Sequence, residues 1–190
     1  MDRVRNNFGI IFFLIPAFVF MTGCKTQTKP VAFTNGDISK VISTMTDIMV
    51  RDITNPPLAA RFFSYSLLAG YEVISSQDSS LMKLSGLLNE YPDMSIPDSL
   101  ESSQYQLAAI LAIIETASKM QPSGQLMLDY EKNFLDSCRK IGLSEDVIEQ
   151  AKHHAAQVSS KILAYAKADG YRAISNLPRY TPSKSPGKWY

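Results

Sequence analysis

Eight consecutive residues, Leu107-Ala-Ala-Ile-Leu-Ala-Ile-Ile114, offer no polar side chain in any direction around a helix. At about 3.6 residues per turn they complete two turns and present apolar surface all round. Such a helix must be enclosed on every side. A bilayer could enclose it, but eight residues fall far short of the roughly 20 that a spanning helix needs. A jacket of other helices is what remains. The chain is therefore predicted to be all-α, with a helix from Ser103 to Met120 at the centre of a bundle.

The surrounding sequence supplies the jacket, making about six helices. Asp37 to Asp52 places Ile38, Val41, Ile42, Met45, Ile48 and Met49 on one side, with Asn35 or Asp37 as cap. Asn55-Pro56-Pro57 ends that helix and starts another, proline being suited to a first turn. The second helix runs to about Ser75, and its face of Ala59, Phe62, Tyr65, Ser66, Ala69 and Val73 mixes small and aromatic residues for close packing. Ser79 to about Glu90 reads as a shorter amphipathic helix, followed by a loop from Tyr91 to Asp98. Gln121-Pro-Ser-Gly124 turns the chain into a helix that closes near Gly142. Ser144 then caps a long final helix, with Glu145 and Asp146 in the first turn where they favour the dipole. Its stripe is Ile148, Ala151, Ala155, Val158, Ile162 and Tyr165, and Gly170 stops it. No alternation of period two exceeds a few residues.

The first 23 residues read as a targeting signal. Arg3 and Arg5 precede an apolar core from Phe8 to Phe20, and Met21-Thr22-Gly23-Cys24 follows. That ending resembles a bacterial lipobox, in which small residues admit the signal peptidase and the Cys24 thiol receives the lipid. Residues 24–36 have the polar composition of a tether, and 37–170 form the helical domain. Lys25 rather than an aspartate follows Cys24, which favours the outer membrane of a two-membrane cell. The expected location is the cell envelope, lipid-anchored, at the periplasmic face of the outer membrane or the cell surface. Removing two of 19 basic and one of 18 acidic residues with the signal leaves 17 of each. A neutral domain lacks the positive footprint that nucleic-acid binding requires.

The last stretch, Tyr171 to Tyr190, holds three prolines, a glycine and four basic residues without an acidic one. Proline fixes φ, removes a backbone donor and pushes the preceding residue towards extended conformations. The segment is thus expected to be an extended strap, neither helix nor central strand. Its Leu177, Tyr180, Trp189 and Tyr190 suit a chain lying across another surface. Arg179-Tyr180-Thr181-Pro182 followed by Pro186-Gly187-Lys188-Trp189 resembles the connector of the vanadium-dependent haloperoxidase and type 2 phosphatidic acid phosphatase superfamily. Asn55-Pro-Pro-Leu-Ala-Ala-Arg61-Phe-Phe-Ser-Tyr65, with Ala69-Gly-Tyr71-Glu72, resembles the first long helix of that superfamily. The resemblance implies a helical protein that binds vanadate or phosphate and either hydrolyses a phosphoester or oxidises halide with peroxide. The family's Lys-x6-Arg-Pro, Pro-Ser-Gly-His and Ser-Arg-x5-His signatures follow the connector, so no catalytic residue carries over to this chain. Arg179, Tyr180, Pro182, Pro186, Gly187 and Trp189 are the expected interface to a catalytic bundle or a partner protein.

Other constellations have plainer explanations. Pro122-Ser123-Gly124 matches three letters of the phosphate-cradling segment, but Gln125 stands where the acid/base histidine belongs and cannot shuttle protons near neutral pH. Turn chemistry accounts for it. His153 and His154 are adjacent on a helix and point about 100° apart, so they do not converge on one ion. Both are expected as helix-surface residues. Cys138 shares a stripe with Met127, Tyr130, Phe134 and Ile141 and reads as a small buried hydrophobe. No metal, catalytic or cofactor-binding residue is expected in this chain. Two readings remain: the N-terminal, non-catalytic portion of a lipid-anchored haloperoxidase-like or phosphatase-like protein, or a complete small all-α lipoprotein that binds a partner through its tail.

Overall fold

The computed structural model describes residues 32–97, 100–101, 104–178 and 181–188. Five helices build the bundle: α1 (Asn35–Arg51), α2 (Pro56–Gln77), α3 (Tyr105–Met120), α4 (Gln125–Lys140) and α5 (Glu145–Ala168). A single further turn, α6, spans Tyr171–Ser175. No strand occurs among the described residues.

α3 is the axis. Every residue from Leu107 to Ile114 is at most 7% exposed, with α1, α2, α4 and α5 arranged around it. None of the described helices is long and apolar enough to cross a membrane. α2 approaches α3 through Gly70, where a Cβ would stand 2.7 Å from Ile113 Cγ1. α5 runs the same way as α3: Gln104 bonds Gln150 near their starts, and Thr116 Oγ1 donates to Ser159 Oγ at 3.0 Å further along. α1 also runs with α3, because Phe33 N–H meets Gln106 Oε1 at one end and Gln121 Nε2 meets the Met45 carbonyl towards the other. α2 runs against all three.

The caps follow local chemistry. Asn55 Oδ1 accepts the Leu58 N–H at 3.0 Å, and Ser144 accepts from Val147. α1 starts two residues earlier than its apolar pattern, at Asn35, with Thr34 rather than Asn35 or Asp37 as cap. Asp37 instead sits in the first turn and accepts the Thr34 N–H at 2.9 Å, one arm of a capping box.

The expected helix over Ser79–Glu90 does not form. Side chains bond the backbone there in non-helical ways. Asp78 Oδ1 takes both the N–H and hydroxyl of Ser80, Tyr71 OH donates to the Met82 carbonyl at 2.6 Å, and Lys83 Nζ reaches the Ser75 carbonyl. Gly86 and Glu90 take φ of +79° and +54°, which breaks any helical run. The segment becomes a chain of turns whose Leu84 packs inward while Met82 and Leu87 stay exposed. The bundle therefore has five long helices where about six were expected. The expectation that nothing after Gly170 is helical also fails. Gly170 at φ = +75° does stop α5, but the first proline comes only at Pro178. Asp169 Oδ1 accepts the Tyr171 N–H, and one new turn, α6, begins.

Two further placements differ from the sequence reading. Ile141 is 60% exposed at the end of α4, and Leu135 fills the core beside Cys138 instead. His154 is buried rather than on the surface, its ring edge-on to Tyr105 at 5.9 Å, while His153 is exposed as expected.

Candidate functional site

A polar cluster gathers where α5 ends. Arg61, in the second turn of α2, lies over Asp169: Nε donates to Oδ2 at 2.7 Å, and an Nη caps the last turn of α5 at the Ala166 carbonyl. Its guanidinium sits between the rings of Tyr65 and Tyr171, 5.2 Å from each centroid. Tyr65 OH also donates to Asp169 Oδ2 at 3.0 Å. Burial and the bond to the Asp169 carboxylate push the Tyr65 phenol up to about 12. Burial works against ionisation of Asp169, but the Arg61 bond and the Tyr171 N–H outweigh it and hold its carboxyl below the ordinary range.

The cluster joins residues 108 apart and sets the direction in which the chain leaves the bundle. Its polar groups bond one another and hold the start of α6 against α2. Replacing Asp169 by Asn is expected to cost about 1–2 kcal/mol through the lost charge-assisted bonds. The effect has a pH signature. A carboxylate that ionises more readily folded than unfolded stabilises fully above its unfolded value of about 3.9, and that stability disappears as pH falls through the folded value. Urea unfolding at pH 7 and near pH 2.5 checks this: the gap between wild type and Asp169→Asn should be present at the first and close at the second.

The Pro122-Ser123-Gly124 segment is tied into a turn. Ser123 donates its N–H at 3.0 Å and its hydroxyl at 2.6 Å to the Asp52 carboxylate at the end of α1. Both donors that an oxyanion would need are thereby taken by a carboxylate. Other cations are held in the same way: Lys161 by the Asp93 and Ser95 carbonyls, Lys83 by Ser75, Arg139 by Glu145 and Asp136. The described residues do not fit vanadate or phosphate. No group of three or more His, Cys, Asp or Glu among them could hold a metal.

Three of the hollows among the described residues border polar or titratable side chains. One of about 350 Å³ lies among Phe33, Ile38, Leu67, Tyr71, Gln106 and Ile113; it is apolar and carries no titratable group apart from the Tyr71 phenol. A second, of about 230 Å³, brings Glu72, Tyr105 and His154 to one wall. Glu72 accepts the Tyr91 phenol at 2.8 Å and Tyr105 OH accepts the Leu100 N–H at 3.1 Å, which ties both to the loop before α3. The third, about 330 Å³, borders Cys138, whose thiol burial pushes up to about 11. A thiol that stays protonated there is no nucleophile.

Of the residues expected to form an interface, Pro182, Pro186 and Gly187 are exposed. Ser185 to Lys188 closes a turn, Lys188 N–H to the Ser185 carbonyl at 3.1 Å, with Pro186 leading and Gly187 at φ = +75° as such a turn requires. Cys24, Arg179, Tyr180 and Trp189 lie outside the described residues. The sequence reading named Arg61 only as part of a resemblance, placed Tyr65 on a packing face of the second helix, and missed Asp169 as their partner. Nothing local marks a pair so far apart in sequence.

The fold is haloperoxidase-like. A solved structure it resembles is that of "the first bacterial vanadium dependant iodoperoxidase", with a TM-score of 0.73 at 24% identity. The match covers 84% of this chain and 39% of that one, so this chain spans about two fifths of the iodoperoxidase's length. At that identity the likeness is one of fold. No family model matches the sequence, and no curated protein does.

Proposed function

We propose that the bundle is the non-catalytic helical portion of a lipid-anchored haloperoxidase-like or phosphatase-like protein. Its chemistry, on phosphoesters or on halide with vanadate, would reside in a further helical bundle. One observation carries this reading: most of this chain matches the iodoperoxidase fold, yet fills only 39% of it. The absence of an oxyanion cradle among the described residues agrees with a supporting role. So does the Arg61–Asp169 clamp, which fixes how the chain departs towards whatever follows.

The test is an antibody raised against the bundle and applied to the producing cells. The expected result is a species well above 21.1 kDa that carries vanadate-sensitive phosphatase or iodide-oxidising activity, while the isolated 190-residue chain has neither. A species of 21.1 kDa alone, or turnover by the isolated chain, would defeat the proposal. The former outcome would favour a complete small lipoprotein.

Anchoring is proposed through Cys24. Several acyl chains contribute about 0.8 kcal/mol per buried CH₂, which makes attachment stable where one chain is not. Growth with a clickable fatty acid should label the wild type and leave Cys24→Ser unlabelled. Equal labelling of the two would exclude Cys24 as the acceptor.

A further inference from the structure

Where the chain enters the bundle, α1, α2 and α3 leave an apolar hollow between them. Phe33 and Ile38 line it from the start of α1, Leu67 and Tyr71 from α2, and Ile110 and Ile113 from α3. Its volume of about 350 Å³ lies in the range that holds a small ligand. Gly70 and Ala109 also border it and offer at most a methyl group, which keeps the space open. Ile38 and Leu67 are each 37% exposed, so apolar side chains on both sides of the hollow meet water.

Chemistry selects the occupant. None of the described residues that line the hollow carries a charge. Its polar groups bond within the chain or lie at the surface. Gln106 Oε1 takes the Phe33 N–H at 3.1 Å, the Thr34 hydroxyl donates to Asp37 at 3.0 Å, and the Tyr71 phenol donates to the Met82 carbonyl. Asn35 is exposed. A peptide laid in the hollow would bring a row of N–H and carbonyl groups for which the lining offers few partners. A hydrocarbon chain brings none. Each methylene that leaves water favours the bound state by about fourfold.

Position supplies the source. Phe33, Thr34 and Asn35, through which the chain enters α1, border the hollow, and Phe33 lies nine positions after Cys24. Nine residues span at most about 30 Å, so a lipid on Cys24 stays close to the hollow. A short tether holds its group at an effective concentration roughly in the millimolar range, an advantage that a free fatty acid lacks. We infer that this hollow receives one acyl chain of the lipid on the chain's own Cys24, the other acyl chains staying in the bilayer. The inference rests on the anchoring proposed above. Its consequence is orientation: the starts of α1 and α3 are held towards the membrane.

The test uses the whole protein in producing cells. A fatty acid carrying a diazirine and an alkyne is supplied in the medium, the cells are irradiated, and cross-linked peptides are read by mass spectrometry. The expected adducts join the Cys24 lipid to peptides holding Ile38 or Leu67 of the same chain. Leu67→Asp and, separately, Ile38→Asp should each lower those adducts by about tenfold or more, with labelling of Cys24 unchanged. Both positions are partly exposed, and circular dichroism checks that each variant keeps its helices; should one lose them, the other decides. Adducts only to bilayer lipid or to a second chain overturn the inference, as do adducts that neither variant lowers. In each of those cases Cys24 still carries the label, so the anchoring survives and this inference alone is lost. If Cys24 carries no label, both are lost.

Discussion

Replacing Gly124 by alanine is expected to destabilise the protein by about 3 kcal/mol or more, as a severe backbone clash rather than an ordinary overpacking. A Cβ at this position would stand 1.7 Å from the Ser118 carbonyl oxygen and 2.6 Å from its carbon. Those atoms belong to the last turns of α3 and cannot swing aside as a flexible side chain could. Gly124 itself has φ = −58° and ψ = −18°, which any residue adopts, so the demand for glycine is one of space alone. Helix propensity points the other way: alanine is better than glycine by about 1 kcal/mol within a helix. The sign of the change therefore separates the two effects. The clash should spread, because the same turn holds Ser123 against Asp52 and so pins the end of α1. Urea unfolding followed by circular dichroism gives the answer, and a stabilised Gly124→Ala variant would show that the turn is looser than described.

Truncating Ile114 to alanine is expected to cost about 2–5 kcal/mol. Its side chain is fully buried in α3, where the surrounding helices cannot all collapse onto the space left. Domains of this kind are stable by only about 5–15 kcal/mol, so one such change removes much of the margin. Met82→Ala is the control: it also removes a large apolar side chain, but from a residue 66% exposed, and should stay within about 0.5 kcal/mol. Equal losses at the two positions would mean that α3 is not the axis of the bundle.

The same comparison bears on what could be read in advance. The run from Leu107 to Ile114 is apolar in every direction, and only enclosure by helices satisfies it; that conclusion needed no coordinates. The stripes of α1 and α5 were equally legible, as were the break at Asn55-Pro56-Pro57, the Ser144 cap and the stop at Gly170, because each rests on neighbours within a turn or two. Ser79–Glu90 misled for a physical reason. Its apolar spacing suits a helix, but Tyr71 and Lys83 bond the backbone across the chain, and periodicity does not register bonds of that kind. His154 was placed at the surface because one helix considered alone does not reveal that Tyr105 lies opposite.

By itself the sequence determined the class of fold and the identity of the central helix. These follow from period, composition and local capping, which are properties of short segments. Only the tertiary structure decided that Arg61 and Asp169 meet, that Ser123 is held by Asp52 and that Gly124 lies against Ser118. Contacts between residues far apart in sequence depend on how whole helices pack, and no window of neighbouring residues contains that information.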